Sequence, residues 1–261
     1  MIESHEANRR YWDASASGWQ ELRDRDGLWR ECAEDPDVAF EGEALDTIRS
    51  MIGSLDGRDV CVIGSGDNYA AFALAGMGAR VTSTDISEGQ LAVAASRAAS
   101  LGLDIDFVRS DAANLESMSD RSFDLVRSTN GFLTWIADPG LVFGEVFRSL
   151  RQNGVYVFYD VHPFQRPWRD TQQATELAKP YWDTGPHESD GDYPTVEFEW
   201  TIADLLNALT RSGLRLESPA KDSRFWEGYS YETGSRPELM GWRVNPRAGL
   251  PVWLTVVARK P

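Results

Sequence analysis

The chain has 261 residues, with 26 basic side chains against 41 acidic ones and a formal net charge of −15. That length suffices for one large domain, or one domain with a substantial insertion. The charge argues against a broad phosphate-backbone footprint on nucleic acid, which needs a basic face, and against an anionic membrane surface.

No apolar stretch approaches the roughly 20 residues that span a bilayer. The first residues, Met1 to Glu6, are polar and acidic and do not read as a signal peptide. Two cysteines, Cys32 and Cys61, give no disulfide framework, and a reducing cytoplasm is expected. No His/Cys cluster has zinc-ligand spacing, so no metal is expected.

In chain order, residues 6–22 predict an amphipathic helix with Tyr11, Trp12, Trp19 and Leu22 as its apolar points. A second helix is predicted from about Glu41 to Leu55, ended by Asp56-Gly57. Val60–Ile63 is a short β-branched run, as expected of a strand buried on both faces. Tyr69 to Met77 is a small-residue helix. Arg80–Thr84 is a second strand, and Ser87-Glu88-Gly89-Gln90 has the form of a capping box opening a helix to Leu101. Ile105–Arg109 and Phe123–Ser128 are further strands, followed by a helix from Pro139 to Leu150 and a strand over Val155–Tyr159. Thr201 caps a helix with Ile202, Leu205, Leu206 and Leu209 on one side. Leu214–Leu216 and Leu250–Ala258 are the last two strands.

Strands alternating with helices imply a mostly parallel sheet covered on both faces. Asp160–Trp200 and Pro219–Gly249 interrupt the rhythm; both are rich in Gly, Pro, acids and aromatics without clear periodicity, and loops of such length are usually functional or disordered.

Open α/β sheets bind ligands at the carboxyl ends of their strands. Gly64-Ser65-Gly66 lies at the end of the first strand, where glycine lets backbone approach a ligand and the next helix offers free N–H groups. Asp85 ends the second strand, where an acid can accept from both hydroxyls of a ribose. Asp111 ends the third, where it can accept from an adenine amine. A dinucleotide site needs G-x-G-x-x-G/A; here Tyr69 takes the third glycine's place and Asp67 stands beside the would-be phosphates, which disfavours NAD. Asp67 suits a cationic neighbour, such as an amino group or a sulfonium.

Residues from about 58 to 164 resemble the core of the class I S-adenosylmethionine-dependent methyltransferases of small-molecule type. Val60–Asn68, Thr84–Ser87 with Gln90-Leu91, Ser110–Ala112, Ser122–Val126 followed by Asn130-Gly131, and Leu150–Gly154 each resemble one of that family's motifs. The resemblance implies a Rossmann-like, doubly wound α/β fold. Its sheet would be mostly parallel and seven-stranded with an antiparallel final strand. An N-terminal helical cap (1–57) would precede a core (58–261) with lid segments 160–200 and 219–249, a single domain overall.

It implies S-adenosyl-L-methionine as cofactor. Gly64, Ser65 and Gly66 would face its methionine part, Asp85 the ribose, Asp111 and Ala112 the adenine, with Ile86 on the adenine face. Asn130 and Gly131 would lie beside the amino group, and Trp135 beside the adenine or the substrate entrance. Gln90 falls in the second motif. The family's acid two residues before the first glycine is Val62 here, and its third glycine is Asn68, so the methionine-end contacts depart from the pattern. Asp67 would supply the missing negative charge.

The reaction expected is methyl transfer to a small organic molecule, with an oxygen, nitrogen or carbon acceptor all open. The alternatives are a non-catalytic S-adenosylmethionine-binding protein and an NAD-dependent enzyme. No Asn-Pro-Pro-Tyr-like segment or Pro-Cys follows the fourth strand, which is unlike enzymes that methylate adenine, glutamine or cytosine. The partners expected are a small-molecule substrate, no nucleic acid and no membrane, the chain acting as monomer or homodimer. His162, just past the fifth strand, is the candidate general base, with fixing the lid's start as its alternative role. His187 is expected at the surface and His5 in a mobile terminus. Tyr11 and Trp19 either close over the cofactor or cover the sheet. The aromatics of the two long segments are expected to line a pocket over the sulfonium methyl.

Overall fold

The computed structural model describes residues 2–40, 43–128, 130–168, 176–217, 229–233 and 250–261, the 229–233 stretch by its backbone. Helix α1 (Glu3–Asp26) leads through two short 3-10 turns into α2 (Ala44–Ile52). The central layer then alternates: β1 (Asp59–Ile63), α3 (Tyr69–Gly76), β2 (Arg80–Asp85), α4 (Glu88–Leu101), β3 (Ile105–Arg109), β4 (Phe123–Ser128), α5 (Pro139–Ser149) and β5 (Leu150–Val161). A small hairpin, β6 (His187–Glu188) with β7 (Val196–Glu197), precedes α6 (Ile202–Arg211), β8 (Arg215–Leu216), β9 (Tyr229–Thr233) and β10 (Pro251–Arg259).

The sheet order is β3-β2-β1-β4-β5-β10-β8. The first five strands run parallel, and β10 is antiparallel to β5. The expected seven-stranded, mostly parallel sheet with its antiparallel final strand is thus present, with β9 as an eighth strand beside β10. The order reverses at β1, between β2 and β4, and that switch point opens a crevice at the carboxyl edge.

Two cores flank the sheet, and the alternation of β5 divides them. Val155, Val157 and Tyr159 face a core shared with α2, α3 and the inner side of α4. Tyr156 and Phe158 face the other core, shared with α5 and α6 through Val142, Phe143, Val146, Leu205 and Leu209. A strand buried on both faces reads as continuously apolar, which is why β1 was visible as Val60–Ile63. Helix starts follow local chemistry: Ser87 Oγ accepts from Gln90 N at α4, and Thr201 and Asp204 form a reciprocal capping box at α6.

Three expectations change. β5 runs on to Val161, so residues 160 and 161 belong to a strand, because pairing with β10 extends to Trp253↔Val161. The segment to Trp200 contains the β6–β7 hairpin. Of the second long segment, 229–233 is a strand; its remaining residues 219–228 and 234–249, with Phe225, Trp226 and Trp242, lie outside the described residues.

Candidate functional site

A cavity of about 640 Å³ opens at the switch point. Its floor is the turn after β1. Gly64 has φ +56, and a Cβ there would sit 2.2 Å from Phe132 Cδ2, so both backbone and packing require glycine. Asn68 occupies the third-glycine position in the left-handed region, φ 64, a conformation asparagine tolerates. Its Nδ2 donates to Gly66 O (2.6 Å), and its Oδ1 accepts from Ser83 Oγ (2.5 Å), which also contacts Ser65 Oγ at 2.7 Å. Side-chain bonds to β2 thus brace this departure from the family pattern. Val62, the other departure, is fully buried in the core.

Asp85 is held by backbone: Gly66 N donates to Oδ2 and Ser87 N to Oδ1, each at 2.9 Å. Burial raises its pKa against these bonds. The carboxylate lines the cavity with lone pairs to spare, the arrangement that paired hydroxyls need.

Asp111 is engaged more fully than expected. His5 Nδ1 lies 2.9 and 3.0 Å from its two oxygens, and Ala113 N donates to Oδ1 at 3.0 Å. Burial alone would raise the pKa of Asp111, but these bonds lower it. His5 Nε2 accepts from Ala137 N at 2.9 Å, so Nδ1 carries the hydrogen. The expectation of a mobile His5 is overturned: the residue is buried, at 2% exposure, and pins α1 to the strand ends.

The rest of α1 repeats this. Asn8 pairs with the backbone of Val196 in both directions at 2.8 Å. Asp13 accepts from Ser87 Oγ (2.7 Å) and Gly89 N (3.2 Å), and a Cβ on Gly89 would come within 2.9 Å of Ala16 Cβ. Arg23 Nη2 meets Asp67 at 2.6 Å. Asp67 is therefore paired with a protein guanidinium, where a cofactor amino group or sulfonium was expected.

Of the expected site residues, Trp19, Gly64, Ser65, Gly66, Asp67, Asn68, Asp85, Ile86, Gln90, Asp111, Ala112, Asn130, Gly131 and Trp135 all line the cavity. Tyr11 does not. It stacks on Trp135 at 6.1 Å, while Trp12, one residue on, faces the cavity and meets Trp135 edge-on at 5.2 Å. His162 does not line it either. Its Nδ1 accepts from Phe164 N (3.2 Å) at the start of a 3-10 turn, and burial pushes its pKa down to about 4. The ring fixes a turn, its alternative role, and is neutral without being poised near neutrality.

The aromatics of 160–200 are likewise elsewhere. Phe164 meets Tyr181 and Phe198 stacks on Trp200, while Trp182 is 77% exposed. That segment gives the cavity Val161, Arg166 and Glu197, and the aromatic lining comes from Trp12, Trp19, Tyr69, Phe132, Trp135 and Tyr159. His5, Asn8, Trp12, Trp19 and Arg23 carried one legible signal, since all five fall on one helical stripe of α1.

Comparison with known proteins agrees with this geometry. Residues 61–158 match the model of a methyltransferase domain. The chain is similar to a ubiquinone biosynthesis O-methyltransferase of Pasteurella multocida, 26% identical over 179 residues, covering 65% of this chain and 74% of that one. Against further relatives of that name the chain spans 47% and 59% of their length. An S-adenosylmethionine-dependent methyltransferase structure from Mesorhizobium loti superposes with TM-score 0.63 at 24% identity, covering 84% and 98% of the two chains. The [4+2]-cyclase SpnF shares the fold with TM-score 0.57 at 20% identity, covering 83% and 80%.

Residues 61–158 thus carry a methyltransferase domain, set in a fold shared with solved S-adenosylmethionine-dependent methyltransferases. The chain is a methyltransferase enzyme, and the solved structures that share its fold are described as S-adenosylmethionine-dependent. The residues fit that cofactor: a turn after β1 in which Gly64 has no room for a Cβ, and a buried carboxylate at the end of β2 with free lone pairs. Among the described residues no helix is long and apolar enough to cross a membrane.

Proposed function

We propose that the chain methylates a hydroxyl of a small organic molecule held in the same cavity. The observation that carries this is the cavity's extent: beyond the motif residues it continues past Leu28, Val38, Ala39, Tyr159, Val161, Arg166 and Glu197, leaving room for an acceptor. The name of the relatives, O-methyltransferase, favours oxygen as the acceptor atom.

In this reading Gly64, Ser65 and Gly66 face the methionine part, with Asn130 and Gly131 beside its amino group. Asp85 takes the ribose hydroxyls. Asp111 and Ala112 take the adenine, Ile86 packs on it, and Gln90 and Asn68 complete the surround. When bound, S-adenosylmethionine supplies an electrophilic methyl group on a cationic sulfur. The chain's own contribution is to align the acceptor and keep water out, and positioning of this kind supplies much of the rate of such displacements. Trp12, Trp19 and Trp135 form the water-excluding wall, with α1 (within residues 1–57) as cap over the core. Buried reduced cysteines support a cytoplasmic setting.

Calorimetry with S-adenosylmethionine, then S-adenosylhomocysteine release with panels of phenols, catechols, aliphatic alcohols and amines, tests this. Release with hydroxyl compounds is expected. Binding without release from any class would favour a non-catalytic binding protein, and release with amines alone would move the acceptor to nitrogen.

A further inference from the structure

With His162 turned away, one acid among the described residues that line the cavity is not hydrogen-bonded within the protein. Among the acids that line it, Asp67 is paired with Arg23, Asp85 accepts from Gly66 and Ser87 N–H, and Asp111 accepts from His5 and Ala113 N–H. Glu197 of β7 is the remaining one, and among the described residues its carboxylate accepts no hydrogen bond.

The segment is held to the cavity wall from several sides. Asn8 of α1 pairs with the backbone of Val196, and Phe198 N donates to Thr134 O at 2.7 Å. Arg166, on the turn after β5, lines the cavity beside Glu197 and lies 3.9 Å from Asp160. Asp160 is itself occupied, accepting from Gly131, Leu133 and Val161 N–H.

We propose that Glu197 is the general base of the methyl transfer, taking the proton of a hydroxyl acceptor, with Arg166 beside it as the positioning residue for the developing oxyanion. The acceptor oxygen bonds to the methyl carbon, the carbon–sulfur bond breaks with its electron pair on sulfur, and the acceptor's proton passes to a Glu197 carboxylate oxygen. Solvent then removes the proton.

The surroundings suit a base. Burial raises the pKa of Glu197, Arg166 and His187 oppose the shift, and Glu199 adds to it. Glu199 is itself paired with Lys179 at 2.7 Å, and His187 is the cross-strand partner of Glu197. A base with a raised pKa keeps the proton-transfer driving force that a fully relaxed carboxylate loses.

The inference rests on the hydroxyl-acceptor reading, and the experiment separates the two. Wild-type and Glu197→Gln proteins are assayed with 4-methylcatechol and the more acidic 4-nitrocatechol at saturating S-adenosylmethionine. Near neutral pH the variant is expected to lose kcat on 4-methylcatechol by about 100-fold or more, lose far less on 4-nitrocatechol, and keep its cofactor Kd within about twofold by calorimetry. Its rate should climb with pH as the acceptor ionises unaided, and acetate should restore activity to Glu197→Ala.

Equal kcat in the two proteins overturns the assignment. So does a loss of the same size on both catechols with no rescue by acetate, which marks a packing defect. Should Glu197→Gln fail to fold, the acetate response of Glu197→Ala decides. A wild type that methylates neither catechol nor any other hydroxyl overturns the hydroxyl reading itself, and the Glu197 assignment with it.

Discussion

The two walls of the cavity are built on different principles. The wall at the ends of β1 and β2 is made from its own turns. Asp85 is held by N–H groups at Gly66 and Ser87, and Asn68 is stitched to Gly66 and Ser83, all within about one supersecondary unit. The wall made by α1 owns none of its attachments. It is fastened by side chains that reach across the fold to Asp111, Val196, Ser87 and Asp67. A wall built from local backbone bonds keeps its shape as long as the sheet exists. A wall hung from side chains can leave while the sheet stays folded, since local opening costs less than global unfolding. The fasteners attach to the strand ends themselves, so in the proposed reading cover and cofactor share Asp111 and the Asp85 turn.

Changing the local wall should have the largest effect. Asp85→Ala removes a buried carboxylate that orients two backbone donors and faces the cavity. Losing two charge-assisted bonds to a ligand corresponds to a Kd increase of roughly 100-fold or more. Calorimetry checks this, and a Kd within a few-fold of wild type would break the ribose assignment.

Next comes pH. The pKa of His162 falls from its usual 6.5 to about 4 by burial, so the folded state favours the neutral ring. The unfolded chain binds the extra proton between those values, so stability is full above pH 6.5 and is lost as pH falls towards 4. The expected loss is about 3 kcal/mol. Urea melts of wild type and His162→Asn at several pH values measure it, and an unchanged pH slope in the variant would sink it.

The hung wall follows. His5→Ala leaves Asp111 with one protein donor and Ala137 N–H with none, a cost of about 1–3 kcal/mol that should fall on α1 docking. Hydrogen exchange should then accelerate in α1 and spare β1 and β4. Uniform acceleration would show that the two walls unfold as one and break the comparison. Arg23→Ala should matter least. The Arg23–Asp67 pair is 29% and 30% exposed, so the loss should stay under about 1 kcal/mol, read as a small shift in melting temperature.

The difference between the walls also explains what could be read in advance. Gly64, Asp85 and Asp111 stand at strand ends that hydrophobic runs announce, so their convergence follows from the sheet. His5 and Asp111 are 106 residues apart, and no periodicity pairs them. The sequence does show a stripe of His5, Asn8, Trp12, Trp19 and Arg23, but not what it covers; Tyr11 and Trp12 both read as apolar points of α1, and of the two only Trp12 lines the cavity. Glu197 was harder still. It sits on a two-residue strand with too few residues to show alternation, placed by Asn8 and Thr134 from distant parts of the chain. The aromatics of 160–200 misled because aromatic content signals burial without saying against what.

Asn68 carries one last consequence. A glycine in a left-handed turn is free in the unfolded chain and surrenders that freedom on folding. Asparagine surrenders less, and here its side chain ties the loop to β2. Writing the family's glycine back at this position would therefore buy conformational ease at the expense of order. The unusual letter in the motif is a stiffener, set in the lining of the cavity.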